Sequence, residues 1–281
     1  MKYVPSEAEL KQAFNFIKGV EIPKIPDIVL ALQQEITKRE PDVSKIGGLL
    51  ATDIALSGIV LKTINSVSFG LSRKIESIPQ ACVLLGLNTI NEVILGAALK
   101  QSVGEGNPFQ TKIWRAAQGC ALGAKAMSLN VEGVSPEEAY LAGLFHDAGA
   151  LLMEKKHPEY AELYRKEQAY PISLLAKETE CYGTNHVVIG FLLANHWKLP
   201  EKVSVAIYNS HIKRCSMIDD PEIRALIAIL KITDSSAAHL VSPGMPFSDE
   251  ASRSIADAYM ELLVDSDMLL EMKEKIEASV L

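Results

Sequence analysis

Aromatic residues are scarce in this chain: Phe, Trp and Tyr make up 6% of 281 residues, against a hydrophobic share of 48%. Leu, Ile, Val and Ala must therefore fill the interior, which suits packed helices better than a β-sandwich. Cations are also in the minority, with 28 Lys and Arg against 35 Asp and Glu and a formal net charge of -7. Binding along a phosphate backbone needs clustered Lys and Arg, so nucleic acid is not an expected partner. No apolar run approaches the roughly 20 residues that span a bilayer, and the opening MKYVPSEAEL is charged where a signal peptide would be apolar. A cytoplasmic protein without membrane association is expected. The four cysteines, Cys82, Cys120, Cys181 and Cys215, form no C-x-x-C pair. That excludes a zinc ribbon and gives no sign of a disulfide framework, leaving reduced and mostly buried thiols.

Helix signals run the length of the chain with hardly any strand alternation. Ser6 and Glu9 have capping-box spacing, and Leu10, Ala13, Phe14 and Ile17 follow on one helical face. Pro23 and Pro26 then force an extended link, because proline disfavours helix in the residue before it. Further starts fall near Asp27, at Ser44, at Asp53, at Ser77 with Pro79, and at Asn88. Gly104, Gly106, Asn107 and Pro108 make the clearest break. Residues 1–105 and 106–281 are therefore expected to form separate helical units. Beyond the break a helix is expected near Lys112–Ser128, followed by the strongest start in the chain, Ser135-Pro136-Glu137-Glu138. Later helices are expected near residues 158–168, 172–181, 184–197, 200–209 and 221–239. The SPGMP turn at residues 242–246 precedes two closing helices, and no fixed-period repeat suggests a solenoid.

His146-Asp147 lies within an apolar stretch, LAGLFHDAGALL, expected to run as one helix. Adjacent helical residues point about 100° apart, so both reach one cation only if it sits over the seam between them and neighbouring helices add ligands. His186, His211 and Asp234 are such candidates: His186 opens a helix, His211 closes one and Asp234 sits in ALIAILKITD. Imidazoles and carboxylates around an open position suit a hydrolytic metal site. Individually, a lone histidine on an apolar helix is more often a hydrogen-bonded core residue, whereas a buried carboxylate needs a partner or a metal.

Five segments carry a resemblance: IPKIPDIVLALQQEI, LLATDIALSGIVLKTINSVSFGL, KIESIPQACVLLGLNTINEVILGAAL, AYLAGLFHDAGALLM and HVVIGFLLANHWKLPEKVSVAIYNSH. Together they resemble the HDOD family, output domains related to HD and HD-GYP metal-dependent phosphohydrolases, over about residues 20–215. The resemblance implies an all-α fold in which an N-terminal helical bundle packs on an HD-like helical domain, in a bacterial protein of signal transduction and regulation. It places the HD pair on His146 and Asp147, a later histidine on His186, the second of a His-His pair on His211 and the closing aspartate on Asp234. Two positions depart from the pattern: Ala116 stands where active HD hydrolases have a ligand histidine, and Ser210 stands first in the His-His pair. A methyl group cannot bind a metal, and a serine hydroxyl is a poor ligand for a transition metal.

A reduced site remains, built from Asp147, His186 and His211 or from His146, Asp147 and Asp234. It would hold a single divalent cation (Mn, Fe, Mg or Ni) or instead satisfy itself by hydrogen bonds with no metal at all. The expected function is a non-catalytic or weakly catalytic regulatory module, acting through signalling proteins or a nucleotide-type ligand in a pocket between the helical units. The alternative is a metal-dependent phosphohydrolase acting on a phosphomonoester or a nucleotide phosphodiester. The two short helices around Thr52-Asp53 superficially resemble a helix-turn-helix, but Lys45 and Lys62 are too few for major-groove docking.

Overall fold

The computed structural model describes residues 3–20, 22–66, 71, 74–104, 106–245 and 247–280. Pro246, part of the expected SPGMP turn, and residues 67–70 of the second resembling segment lie outside them. The described residues form sixteen α-helices and a short 3-10 turn, with no strand, so the all-α expectation holds. They group into two compact units, residues 23–105 and residues 1–22 with 106–281.

In the unit of residues 23–105, α2 (Asp27–Ile36) packs on α3 (Val43–Ala51) and α6 (Leu87–Val103). α3 in turn packs on α5 (Ile78–Leu85), and α4 (Ile54–Ile64) packs on α6. Asp42, Asp53 and Ser77 cap α3, α4 and α5 through their side-chain oxygens, satisfying amides that no helical carbonyl can reach. Val29, Leu32, Leu50, Val60, Ile90 and Ile94 fill the core. Asn88 was expected to cap α6. Instead Gly86 holds that position at φ 79°, a conformation glycine adopts without strain, and Asn88 becomes the second helical residue.

The larger unit begins with α1 (Glu7–Ile17), where both halves of the Ser6–Glu9 capping box form. The Gly104–Pro108 break places this helix with residues 1–105, but it packs on α9 (Ala148–Lys156) and α12 (His186–His196) of the larger unit. Ala13 and Ile17 are its buried residues, while Phe14, expected on the same face, is 54% exposed. α7 (Pro108–Ser128) starts at the expected break, capped by Asn107. It is lined with Ala116, Ala117, Gly119, Cys120, Ala121 and Ala124, all buried. These small side chains let α8 (Pro136–Phe145), α14 (Pro221–Val241) and α16 (Ser266–Val280) pack around it. At the α7–α8 crossing a Cβ on Gly143 would stand 2.7 Å from the Ala121 backbone.

The stretch expected as one helix through His146-Asp147 is two helices, α8 and α9, with the pair in the break. Asp147 has φ -101° and ψ 5°, outside the helical well. The reason is local: the His146 ring bonds the Gly143 carbonyl at 2.7 Å, competing for an acceptor that an uninterrupted helix would use. Beyond the break α9 approaches α12 so closely that a Cβ on Gly149 would lie 2.0 Å from the His186 carbonyl oxygen. α10 (Tyr160–Glu167), α11 (Pro171–Tyr182), α13 (Glu201–Tyr208) and α15 (Asp249–Leu262) complete the unit.

Candidate metal centre

All five sequence-derived site residues belong to the larger unit, and the structure brings them together in two overlapping groups. Ligand atoms of Asp147, His186 and His211 lie within 4.8 Å of one another, as do those of His146, Asp147 and Asp234. Asp147 is common to both, and the helix break puts it there: its Oδ2 lies 3.5 Å from His146 Nε2 and its Oδ1 3.6 Å from His186 Nε2. His186 is the first residue of α12, capped by Asn185. His211 lies in the turn after α13, two residues beyond the expected helix end at residue 209. Asp234 is on α14.

The two groups differ in how they are satisfied. At the α8–α9 break, His146 is buried and bonded at both ring nitrogens, to the Gly143 carbonyl at 2.7 Å and to Asp234 Oδ1 at 3.2 Å. Burial opposes charge on this ring, but the Asp147 carboxylate, then Cys120 and Asp234, outweigh it and raise its pKa well above the ordinary histidine range. A proton on His146 therefore does for this group what a cation would do: it balances two carboxylates.

Around His186 the arrangement is different. Glu178, fully buried on α11, takes His186 Nδ1 at 2.8 Å, the His186 backbone amide at 3.0 Å and the Tyr160 hydroxyl at 2.6 Å. Burial opposes charge on the His186 ring, but the Glu178 carboxylate and then Asp147 outweigh it and raise its pKa above the ordinary histidine value. When the ring is neutral and Nδ1–H is donated to Glu178, Nε2 carries the lone pair that a cation would take in place of a proton. That Nε2 is buried and has no hydrogen-bond partner among the described residues. The His211 ring lies 5.2 Å away, centroid to centroid. Burial, then the neighbouring His186, pushes its pKa down to about 4, so at neutral pH it too offers a lone pair. Asp147 is held by the Tyr164 hydroxyl at 2.7 Å. Burial disfavours its charge, but the positive charge of protonated His146, and then that of His186 and His211 when they carry a proton, lowers its pKa on balance.

The departures also have a structural form. Ala116 is buried in the small-residue face of α7. Ser210 is buried and its hydroxyl turns back to the Ile207 carbonyl at 3.0 Å. Neither presents a nitrogen donor. Glu178, Tyr160 and Tyr164 were missed from the sequence; the available signal was Glu178 placed four residues after buried Leu174, on the same face of α11.

His211 and Asp234 also line a cleft of about 50 Å3 with Gln168, Lys231 and Phe247. At roughly 10–15 Å3 per water, it has room for a few water molecules. The centre is thus buried on the Glu178 side and open on the His211 side.

A two-unit helical protein with an HD-type cluster of His and Asp at a helix break is the class these features define. The HDOD domain matches residues 22–213, and the chain belongs to the HDOD family, which is related to the HD phosphohydrolases. An uncharacterised protein of Treponema pallidum is 27% identical over 198 residues, covering 68% of this chain and 38% of that protein. A cyclic di-GMP phosphodiesterase of Vibrio cholerae, CdgJ, is 28% identical over 205 residues, covering 64% and 46% respectively. The chain therefore spans less than half the length of these curated relatives. An HDOD domain protein from Geobacter sulfurreducens has the same fold at a TM-score of 0.70 and 24% identity, covering 96% of this chain and 98% of its own. Among the described residues, no helix is long and apolar enough to cross a membrane.

Proposed function

We propose that this chain is a regulatory HDOD module that holds a single divalent cation on Asp147, His186 and His211 and acts by binding rather than by two-metal hydrolysis. The observation that carries the reading is the buried His186 Nε2, which has no hydrogen-bond partner among the described residues. Leaving such a lone pair unsatisfied in the interior costs free energy, and a cation removes that cost. Its 3.6 Å separation from Asp147 Oδ1 suits two ligands on one ion with bonds of about 2.1 Å. Two imidazoles and one carboxylate fit Mn, Fe or Ni better than Mg, which prefers an all-oxygen shell. The second cation of a two-metal centre lacks support, because Ala116 and Ser210 supply no nitrogen ligand and His146 is engaged with Asp234. The regulatory output is contact with signalling proteins or with a small anionic ligand.

A second reading is favoured by one observation, the cleft that reaches His211 and Asp234. A single cation there would supply Lewis acidity and a bound water of lowered pKa, the requirements of a phosphohydrolase. Cyclic dinucleotides belong among the substrates tried because of the Vibrio relative's activity.

Metal analysis of protein purified without chelator, with phosphomonoester and cyclic-dinucleotide assays under Mn, Fe, Mg and Ni, separates the readings. The expected result is one ion per chain, lost in His186→Ala, and no turnover. Turnover abolished by Asp147→Ala would establish the hydrolase instead. Two ions per chain, or none, would overturn the one-cation site.

A further inference from the structure

Lys231 sits on α14 one turn before Asp234, in the apolar run ALIAILKITD, and its side chain is only 2% exposed. A buried lysine normally has its ammonium fully paired. Here Asp257 Oδ2, at 3.2 Å, accepts from it. Asp257 is itself shared, because the Cys215 amide donates to the same oxygen at 2.8 Å. Lys231 forms part of the wall of the cleft that also contains His211 and Asp234.

A second cleft of about 640 Å3 adjoins the first and shares Ser254 with it. Lys213, Arg214 and Arg253 line it, alongside Glu250 and Asp257. Both carboxylates are already committed: Glu250 accepts from the Ile172 amide, the Ser173 amide and the Ser173 hydroxyl, and Asp257 holds Cys215 and Lys231. The three cations of this rim have no such engagement among the described residues. In a chain with a net charge of -7 this is a local reversal of sign. On the first cleft, Phe247 is half exposed and stacks on His239 with ring centroids 4.9 Å apart, giving an apolar wall beside the charges. Arg214, Lys231, Phe247 and Arg253 lie after residue 213, where the family match ends.

We propose that the two clefts together bind a small organic molecule carrying at least two phosphate groups. One phosphate sits on Lys231 beside His211 and Asp234, the other against Lys213, Arg214 and Arg253, and the organic body lies on Phe247. The proposal rests on the preceding reading only in placing the first phosphate beside the candidate metal centre. The cations themselves act without a metal.

Calorimetric titration of the chelator-treated full chain with pyrophosphate tests it. Saturable binding is expected. The exposed pair Arg214→Ala and Arg253→Ala should weaken it about tenfold or more, since each charge-assisted hydrogen bond lost is worth about that factor. Lys231→Met should weaken orthophosphate and pyrophosphate alike, and if it does not fold by circular dichroism the arginine pair still decides. Absence of saturation up to about 10 mM, a very weak limit on the affinity scale, or a double arginine variant that binds like wild type, would overturn the proposal. Binding that occurs only after metal is restored would overturn it too, because the phosphate would then belong to the cation. Metal content is measured separately on untreated protein, so an empty metal centre with intact pyrophosphate binding sinks only the earlier reading, and the converse result only this one.

Discussion

Glu178 receives three hydrogen bonds without touching solvent, from the Tyr160 hydroxyl, the His186 amide and the His186 ring. Removing the carboxylate strands buried donors, each costing about 1–3 kcal/mol. Glu178→Ala is therefore expected to lower stability by about 3 kcal/mol and Tm by roughly 5–10 °C for a unit of this size. Thermal unfolding followed by circular dichroism measures it, and an unchanged Tm would show that Glu178 does not hold the ring. At this scale the sequence was informative where a polar side chain interrupts an apolar helix: His146, Asp147, His186 and Asp234 all stand among Leu, Ile, Val and Ala. Glu178 was not legible, because the surrounding KETECY reads as a solvated face and its neighbours Thr179 and Glu180 are indeed exposed. Burial of one carboxylate in such a stretch follows from Tyr160 and His186, which come from other helices.

Helices set the site through two kinds of contact, close backbone approach and capped breaks. A Cβ on Gly149 would meet the His186 carbonyl oxygen at 2.0 Å and the Gly190 amide nitrogen at 2.7 Å, both backbone atoms that cannot swing aside. Gly149→Ala should force α9 away from α12, and with it Asp147 from His186. We expect a loss of about 3 kcal/mol or more, at the upper end of overpacking effects. Tm and soluble yield read it, and wild-type stability would mean that the two helices separate at little cost. In the unit of residues 23–105, Glu35 is held by the ammonium groups of Lys38 and Lys45, both at 2.7 Å. These bonds bring its pKa from the ordinary 4.5 down to about 2. Because the folded value is the lower one, its contribution is complete above pH 4.5 and is lost as the pH falls towards 2. Glu35→Gln should therefore narrow the stability difference between pH 6 and pH 3, and an identical pH profile in wild type and variant would remove the ion pair from the account. Helix positions were legible from caps and periodicity. The break at His146-Asp147 was not, because LAGLFHDAGALL contains no proline and its interruption comes from a side chain bonding its own helix.

The opening helix shows why chain order is a weak guide to what packs with what. The Gly104–Pro108 segment is a strong local signal, and it implies one unit for everything before it. α1 instead lies with residues 106–281. Phe16 meets His157 and Tyr182 with ring centroids 5.4 and 5.7 Å apart, the Tyr208 hydroxyl donates to Glu9 at 3.1 Å, and the Asn209 amide donates to the Tyr3 carbonyl at 2.9 Å. None of these partners is within 100 residues of α1, so no local pattern could have announced them. Ala13 and Ile17, with exposures of 0% and 4%, bury the apolar face of the helix on α9 and α12, the two helices that flank the candidate metal centre. Full burial of an aliphatic side chain contributes about 1.5–3 kcal/mol, so removing residues 1–22 should cost about 3 kcal/mol or more and leave α9 and α12 open to water. Amide hydrogen exchange is the discriminating measurement, because it reports opening element by element. Faster exchange is expected in residues 148–156 and 186–196 of the shortened chain, together with weaker retention of metal. If those amides stay as protected as in the full chain, α1 is an ornament on the unit and the packing of the centre is complete without it.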